Sequence, residues 1–180
     1  GMMAVLGLDD DKCEAICANA RNEGKKAWAV NYNTDGQLVL AGIKADLATL
    51  ETPLKEAGAK RALLLNMSVC SHCEILENAS TKLKALLEEK LTDSFAFPII
   101  SNATSEKYNS KEEALLLLQK QLVSPVLYKQ SIKKFEGEVE AFVEFGNGAV
   151  LAGLNKRGVN APTYSVNSIA SISQTIEKLQ

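Results

Sequence analysis

Ala27-Trp28-Ala29-Val30-Asn31-Tyr32-Asn33-Thr34-Asp35-Gly36-Gln37-Leu38-Val39-Leu40-Ala41 is the stretch from which the fold reads outward. Residues 27–32 alternate weakly in polarity, and 37–41 form a second, more apolar run. Between them, Asn33-Thr34-Asp35-Gly36 carries turn chemistry, with Gly36 able to take a positive φ. The stretch therefore predicts a β-hairpin. Upstream, residues 3–6 form a short apolar run ending at Gly7, and Asp9 and Asp10 open a helix as N-cap and first-turn acids. Cys13, Ile16, Cys17 and Ala20 recur at i, i+3, i+4 and i+7, one helical face that ends near Gly24. Downstream, Ile43, Leu47, Leu50, Leu54 and Ala57 make a long helical stripe that stops at Gly58. Residues 61–67 read as a continuous apolar strand. The order of this first third is β-α-β-β-α-β, a ferredoxin-like unit.

The rhythm then changes. Residues 74–91 predict a helix with Ile75, Leu76, Ala79, Leu83, Leu86 and Leu87 on its buried side. A strand follows at 95–100. A helix at 111–122 is ended by Ser124-Pro125, and another runs over 126–135. A strand at 139–145 closes on Gly146-Asn147-Gly148. A short helix at 150–156, a short strand at 163–166 and a last helix at 168–179 complete the reading. Alternating elements of this kind predict an α/β layer architecture.

Composition narrows the function. The 180 residues include 20 basic and 22 acidic side chains, a net charge of −2, with 46% hydrophobic and 23% charged residues. That suits one domain, or one and a half, with chain enough for a core. Low hydrophobicity with high net charge, the signature of disorder, is absent. The apolar runs fall far short of the roughly 18 residues of a membrane-spanning helix. The near-neutral balance, with no Lys/Arg tract, argues against a nucleic-acid partner. With no basic leader and only four cysteines, the expected compartment is the cytoplasm.

Chemistry concentrates in Met67-Ser68-Val69-Cys70-Ser71-His72-Cys73, between an apolar strand and a helix. His72 is the only histidine, and strand ends of this kind are where α/β proteins place their ligands. A histidine there suits a general base, because its ordinary pKa lies near working pH; a capping or surface histidine is the plain alternative. Cys70 and Cys73 form C-x-x-C, open to a redox pair at a helix start. With Cys13 and Cys17 they are also open to a zinc site. Cys13 and Cys17 equally suit a core face as small hydrophobes. Neither a Gly-x-Ser-x-Gly elbow nor a phosphate loop occurs. Lys156 and Arg157 read most simply as the solvated basic end of a helix.

Four segments, taken in order, resemble the malonyl-CoA:acyl-carrier-protein transacylases of bacterial type II fatty-acid synthesis. Asn31-Tyr32-Asn33 through Gly36-Gln37 is similar to that family's hairpin. Gly58-Ala59-Lys60-Arg61-Ala62 with Met67 through Cys73 resembles the segment bearing its catalytic histidine. Lys120-Gln121-Leu122-Val123-Ser124-Pro125-Val126 resembles its Gln-Leu-x-x-Pro-Val element. Glu144-Phe145-Gly146-Asn147-Gly148-Ala149-Val150-Leu151-Ala152-Gly153-Leu154 resembles its Glu-x-Gly-Pro-Gly-x-Val-Leu-x-Gly-Leu run. The resemblance covers essentially the whole chain.

The resemblance implies a ferredoxin-like small subdomain over 1–66, followed over 67–180 by the C-terminal part of an α/β-hydrolase-like acyltransferase core. It implies malonyl transfer from malonyl-CoA to the phosphopantetheine thiol of acyl carrier protein through a serine acyl-enzyme, with no cofactor and no metal. His72 would be the general base and acid, and the main-chain carbonyl of Gln121 would hold its tautomer where a triad uses a carboxylate. Asn31 and Asn33 would border the substrate pocket, and Lys156 and Arg157 would meet the acidic carrier protein. Asn147 and Cys70 stand where the family commonly has proline. The family's Gly-His-Ser nucleophile, its glutamine-rich oxyanion loop and its malonyl-gripping arginine have no counterpart here. The chain alone is therefore expected to be inactive, and to need the missing N-terminal portion as a partner, since its sheet edges would otherwise stand open. A non-catalytic module that binds CoA or carrier protein, and a Cys/His metal or redox protein, are the alternatives.

Overall fold

In the computed structural model, which describes residues 1–180, strand β1 (Met2–Leu6) pairs on one side with β3 (Gln37–Gly42) and on the other with β4 (Arg61–Leu64). Strand β2 (Ala27–Thr34) lies outside β3, giving the order β2-β3-β1-β4 with every neighbouring pair antiparallel. The chain is an α/β protein. Its contacts divide it into two compact units, Gly1–Ser131 and Ile132–Gln180. That division by packing differs from the 66/67 boundary read from the sequence.

In the first unit an apolar cluster packs on each face of the four-stranded sheet. On one, Met3, Val5, Leu38 and Leu40 pack with Cys13, Cys17 and Ala20 of α1 (Asp10–Asn22) and with Leu47, Leu50 and Leu54. Each fully buried leucine there stabilises the fold by about 1.5–3 kcal/mol. The predicted stripe from Leu47 to Leu54 is indeed buried, but it spans two helices, α2 (Lys44–Thr49) and α3 (Glu51–Glu56). Pro53 explains the break: it has no amide for the Thr49 carbonyl, and its ring crowds that carbonyl. Ile43, predicted on the stripe, is 45% exposed. On the opposite face Met2, Val30 and Ala41 pack with Cys73, flanked by Trp28, Val39, Leu65 and Cys70. β4 is shorter than the predicted 61–67. After Leu64 only the Leu65 amide still reaches the Met2 carbonyl (2.9 Å), and the Met67 amide turns back onto the Leu65 carbonyl.

Beyond the sheet, a 3-10 turn (Glu74–Leu76) leads into α4 (Glu77–Lys90), and β5 (Ser94–Ile100) pairs antiparallel with β6 (Lys107–Ser110). The polar run Lys107-Tyr108-Asn109-Ser110 has no alternation, so the sequence reading contains no β6. Ser110 caps α5 (Lys111–Gln121), its hydroxyl accepting from the Glu113 amide. The predicted buried side of α4 is a correction. Leu76, Leu83 and Leu87 are half-buried, Ile75, Ala79 and Leu86 are exposed, and Ser80 is the buried residue, donating to the Gln119 carbonyl at 3.0 Å. Periodicity identifies the side that favours burial, but α5 covers only part of it. After Pro125, Val126 extends the sheet beside β2: its amide donates to the Val30 carbonyl (2.7 Å) and its carbonyl accepts from Tyr32 (3.0 Å). Helix α6 (Tyr128–Phe135) therefore starts two residues later than predicted.

In the second unit a 3-10 turn (Glu136–Glu138) precedes β7 (Phe142–Phe145), which pairs in parallel with β8 (Thr163–Val166). Helix α7 (Val150–Asn155) connects them, and α8 (Ile169–Leu179) starts on a capping box between Ser168 and Ser171. No helix is long and apolar enough to cross a membrane.

Candidate active site

The segment from Leu65 to Cys73 returns across the second face of the sheet, where Leu65, Cys70 and Cys73 supply its cover. Within it, His72 adopts φ 63, in the left-handed region that costs a residue bearing a Cβ about 1–2 kcal/mol. The chain bends at His72 and Cys73 just before the 3-10 turn. Non-glycine residues in such conformations concentrate at functional sites.

The imidazole is held from the far side. His72 Nδ1 lies 2.8 Å from the main-chain oxygen of Gln121, the last residue of α5. Helix-end carbonyls lack intrahelical partners. Here Gln119 accepts from Ser80 and Leu122, Lys120 accepts from the Val123 amide, and Gln121 is left for His72. A carbonyl only accepts, so Nδ1 must donate. That fixes the neutral tautomer with its proton on Nδ1 and leaves the Nε2 lone pair free to take a proton.

Asn31 reaches the same sheet face through a β-bulge. Ala29 lies opposite Leu40 but Asn31 lies opposite Val39, so one residue of β2 is extra between them. Without it, Asn31 would continue the parity of Ala27 and Ala29 into the helix-side core. With it, Asn31 shares a face with Val39, against which Cys70 and Cys73 pack. A second irregularity, between Tyr32 and Thr34, makes Asn33 the extra residue. Both asparagines are half-buried. His72, Gln121, Asn31 and Asn33 thus lie in the first unit. Lys156 and Arg157 lie in the second, exposed, directly after α7.

The structure does not gather the four cysteines of the metal reading. Cys13 and Cys17 sit in the helix-side core, where burial pushes their thiols up to about 11 and about 12. Cys73 sits on the other face. No group of three or more His, Cys, Asp or Glu side chains is placed to hold a metal ion.

Two devices were not foreseen. Lys129 pairs with Asp10 and, at 3.3 Å, with Asp35, joining α6 to the start of α1 and to the hairpin turn. Glu144 accepts from the Leu151 and Ala152 amides, each at 2.9 Å, and from the Ser165 hydroxyl at 3.3 Å. Those amide bonds hold its carboxyl below the ordinary range. Gly146 and Gly148, at φ 127 and 95, bend the chain back so that Glu144 caps α7. The signal in the sequence is the Glu-x-Gly-x-Gly spacing, which predicts the turn but not its cap. Glu144→Ala is expected to fray the start of α7, read as faster hydrogen exchange at Leu151 and Ala152. An open groove of about 530 Å³ between α1 and β2 is lined by Asp11, Glu14, Arg21, Trp28, Tyr32 and Pro125, and by none of His72, Gln121, Asn31, Asn33, Lys156 and Arg157.

No protein-family profile matches the chain. Malonyl CoA-acyl carrier protein transacylase of Haemophilus influenzae is 37% identical over 180 residues, which are 99% of this chain and 57% of that protein. The crystal structure of malonyl-CoA:acyl carrier protein transacylase from Helicobacter pylori superposes with a TM-score of 0.94 at 46% identity, over 99% of this chain and 56% of the other. A malonyl-transacylase solved in complex with its type II polyketide synthase acyl-carrier protein superposes with a TM-score of 0.93 at 35% identity, over 98% of this chain and 58% of the other. The chain is homologous to these transacylases over nearly its whole length and spans a little over half of theirs.

Proposed function

We propose that this chain is part of a malonyl-CoA:acyl-carrier-protein transacylase, an acyltransferase, in which His72 is the general base and acid. The bond from His72 Nδ1 to the Gln121 carbonyl is the observation that supports it most, because it presents Nε2 as a base without a carboxylate partner. A serine from the part of the longer relatives outside this chain attacks the malonyl thioester carbonyl, and Nε2 takes its proton. The tetrahedral intermediate collapses, the C–S bond breaks, and the departing CoA sulfur receives that proton from Nε2. The phosphopantetheine thiol of acyl carrier protein then gives its proton to Nε2, attacks the acyl-serine ester and leaves with the malonyl group as the serine is reprotonated. The scheme draws on no cofactor. Its expected compartment is the cytoplasm. Asn31 and Asn33 border the acyl pocket, and Lys156 and Arg157 meet the acidic carrier protein.

The finer architecture follows the same reading. The order β2-β3-β1-β4, with β1 and β2 parallel around an antiparallel β3, supports a ferredoxin-like small subdomain over 1–66. Residues 67–180 are the C-terminal part of an α/β-hydrolase-like core, whose remaining strands come from the rest of the longer protein. Open apolar surface supports this. Leu63 on edge strand β4 is 51% exposed and Phe97 on β5 is 79% exposed, and Ile169, Ile172, Ile176 and Leu179 form an exposed stripe on α8.

The test is reconstitution. The 180-residue chain alone is expected to give no malonyl transfer and to sediment as self-associated species. Co-expression with the remainder of the full-length protein is expected to restore both transfer and a defined stoichiometry. Transfer by the chain alone, or a clean monomer, overturns the reading. Carrier-protein binding without transfer after reconstitution favours the non-catalytic module.

A further inference from the structure

We propose that Cys70 and Cys73 are a reversible thiol pair that closes to a disulfide across His72 and displaces its imidazole. The two residues share one apolar patch on the sheet, Cys73 buried within its cluster and Cys70 packed against it. The left-handed φ of His72, third in the stretch Cys70-Ser71-His72-Cys73, bends the chain between them. Cys70 is half-buried and open to a small reagent, whereas Cys73 is 2% exposed. Cys13 and Cys17 are 0% and 1% exposed in the other cluster, so they have neither access nor a place in this exchange.

The order of events follows from access, since Cys70 is half-exposed and Cys73 is buried. Burial, then the neighbouring Cys70 thiol, push the Cys73 thiol up to about 11, against the opposing pull of the Ile75 amide. Cys70 therefore reacts first. Its thiolate attacks one sulfur of a small-molecule disulfide such as oxidised glutathione. The reagent's S–S bond breaks, and one small thiol leaves and takes up a proton. Cys73 then gives up its proton, and its sulfur attacks the Cys70 sulfur. The second small thiol leaves with that proton. Two protein thiols are oxidised by two electrons, and the reagent disulfide is reduced to two thiols. Forming the covalent bond draws the ends of the bend together. His72 lies between them in an already sparse conformation, so the hydrogen bond to Gln121 is the contact that gives way.

The disulfide itself does not depend on the proposed role of His72; only its consequence for transfer rests on that reading. The test treats the reduced full-length protein with oxidised glutathione and follows intact mass, the disulfide map and the NMR signal of His72, assigned by its absence in His72→Gln. The expected result is loss of the mass of two hydrogen atoms, linkage of Cys70 to Cys73, and a shift of the histidine resonance. All three should reverse with dithiothreitol and be absent in Cys70→Ser. A lasting glutathione adduct on Cys70, or an unchanged mass, overturns the pair. A disulfide that leaves the histidine resonance in place overturns the displacement. Failure of His72 in transfer leaves the mass result untouched, so the two readings fail separately.

Discussion

Replacing His72 with alanine in the full-length protein is expected to lower kcat for malonyl transfer by about 10²–10⁴-fold, the range lost with a positioned general base. The KM for malonyl-CoA should change little, because the imidazole acts on protons and not on substrate binding. The physical basis is the fixed tautomer. Gln121 accepts from Nδ1, which leaves Nε2 as the nitrogen that the proposed proton transfers use. Folding should survive, since alanine adopts the same φ 63 at a similar cost. His72→Gly is a useful companion. It should be equally inactive yet more stable than His72→Ala by about 1 kcal/mol, because glycine has no Cβ to strain in the left-handed region. Transfer within a few-fold of wild type in both variants would remove His72 from the mechanism.

Gly42→Ala is expected to destabilise the chain by about 2–3 kcal/mol, as overpacking against rigid surroundings does. A Cβ on Gly42 would lie 1.9 Å from the Lys26 carbonyl oxygen and 2.9 Å from its carbon, both main-chain atoms. That carbonyl already accepts from the Ile43 amide at 3.0 Å, and the Lys26 amide is held by Asp46 at 2.8 Å. Gly42 itself exchanges bonds with Gly1, whose main-chain nitrogen donates to its carbonyl at 2.8 Å. Neither side can retreat without breaking the end of the β2–β3 pair. Gly153→Ala in α7 is the control of opposite sign. Its Cβ meets nothing within 4 Å, so the helix propensity gain of about 0.8–1 kcal/mol should appear uncompensated. Urea midpoints with unchanged m-values would report both. A neutral Gly42→Ala would mean that Lys26 is free to move.

The candidate site was legible in unequal parts. His72 stood out as the one histidine between an apolar strand and a helix, which is local information. Gln121 did not, because a main-chain carbonyl has no side-chain signature and lies 49 residues away. Family resemblance, not spacing, pointed to it. Asn31 was named from the same resemblance, but the bulge that turns it onto its face depends on pairing with β3. Cys70 and Cys73 are visible as C-x-x-C, yet only the tertiary structure packs both onto the same patch of the sheet. For Glu144, the Gly146 and Gly148 spacing announced a turn, while its two amide partners appear only when the turn is built.

The elements themselves show the same division. Periods of two and 3.6 residues, with turn and cap residues between, determined the hairpin at Asp35-Gly36, the buried face of α1 and the starts of α5 and α8, because each depends on neighbours within a turn or two of chain. The same logic over-extended β4 and passed over the polar strand β6, since strand limits are set by the partner strand. Val126 beside β2, Lys129 between Asp10 and Asp35, and the tautomer of His72 join residues far apart in sequence, and three-dimensional packing alone decided them. It decided, too, that half of the apolar side of α4 stays exposed. Periodicity shows which surface favours leaving water, whereas burial requires a second surface placed against it.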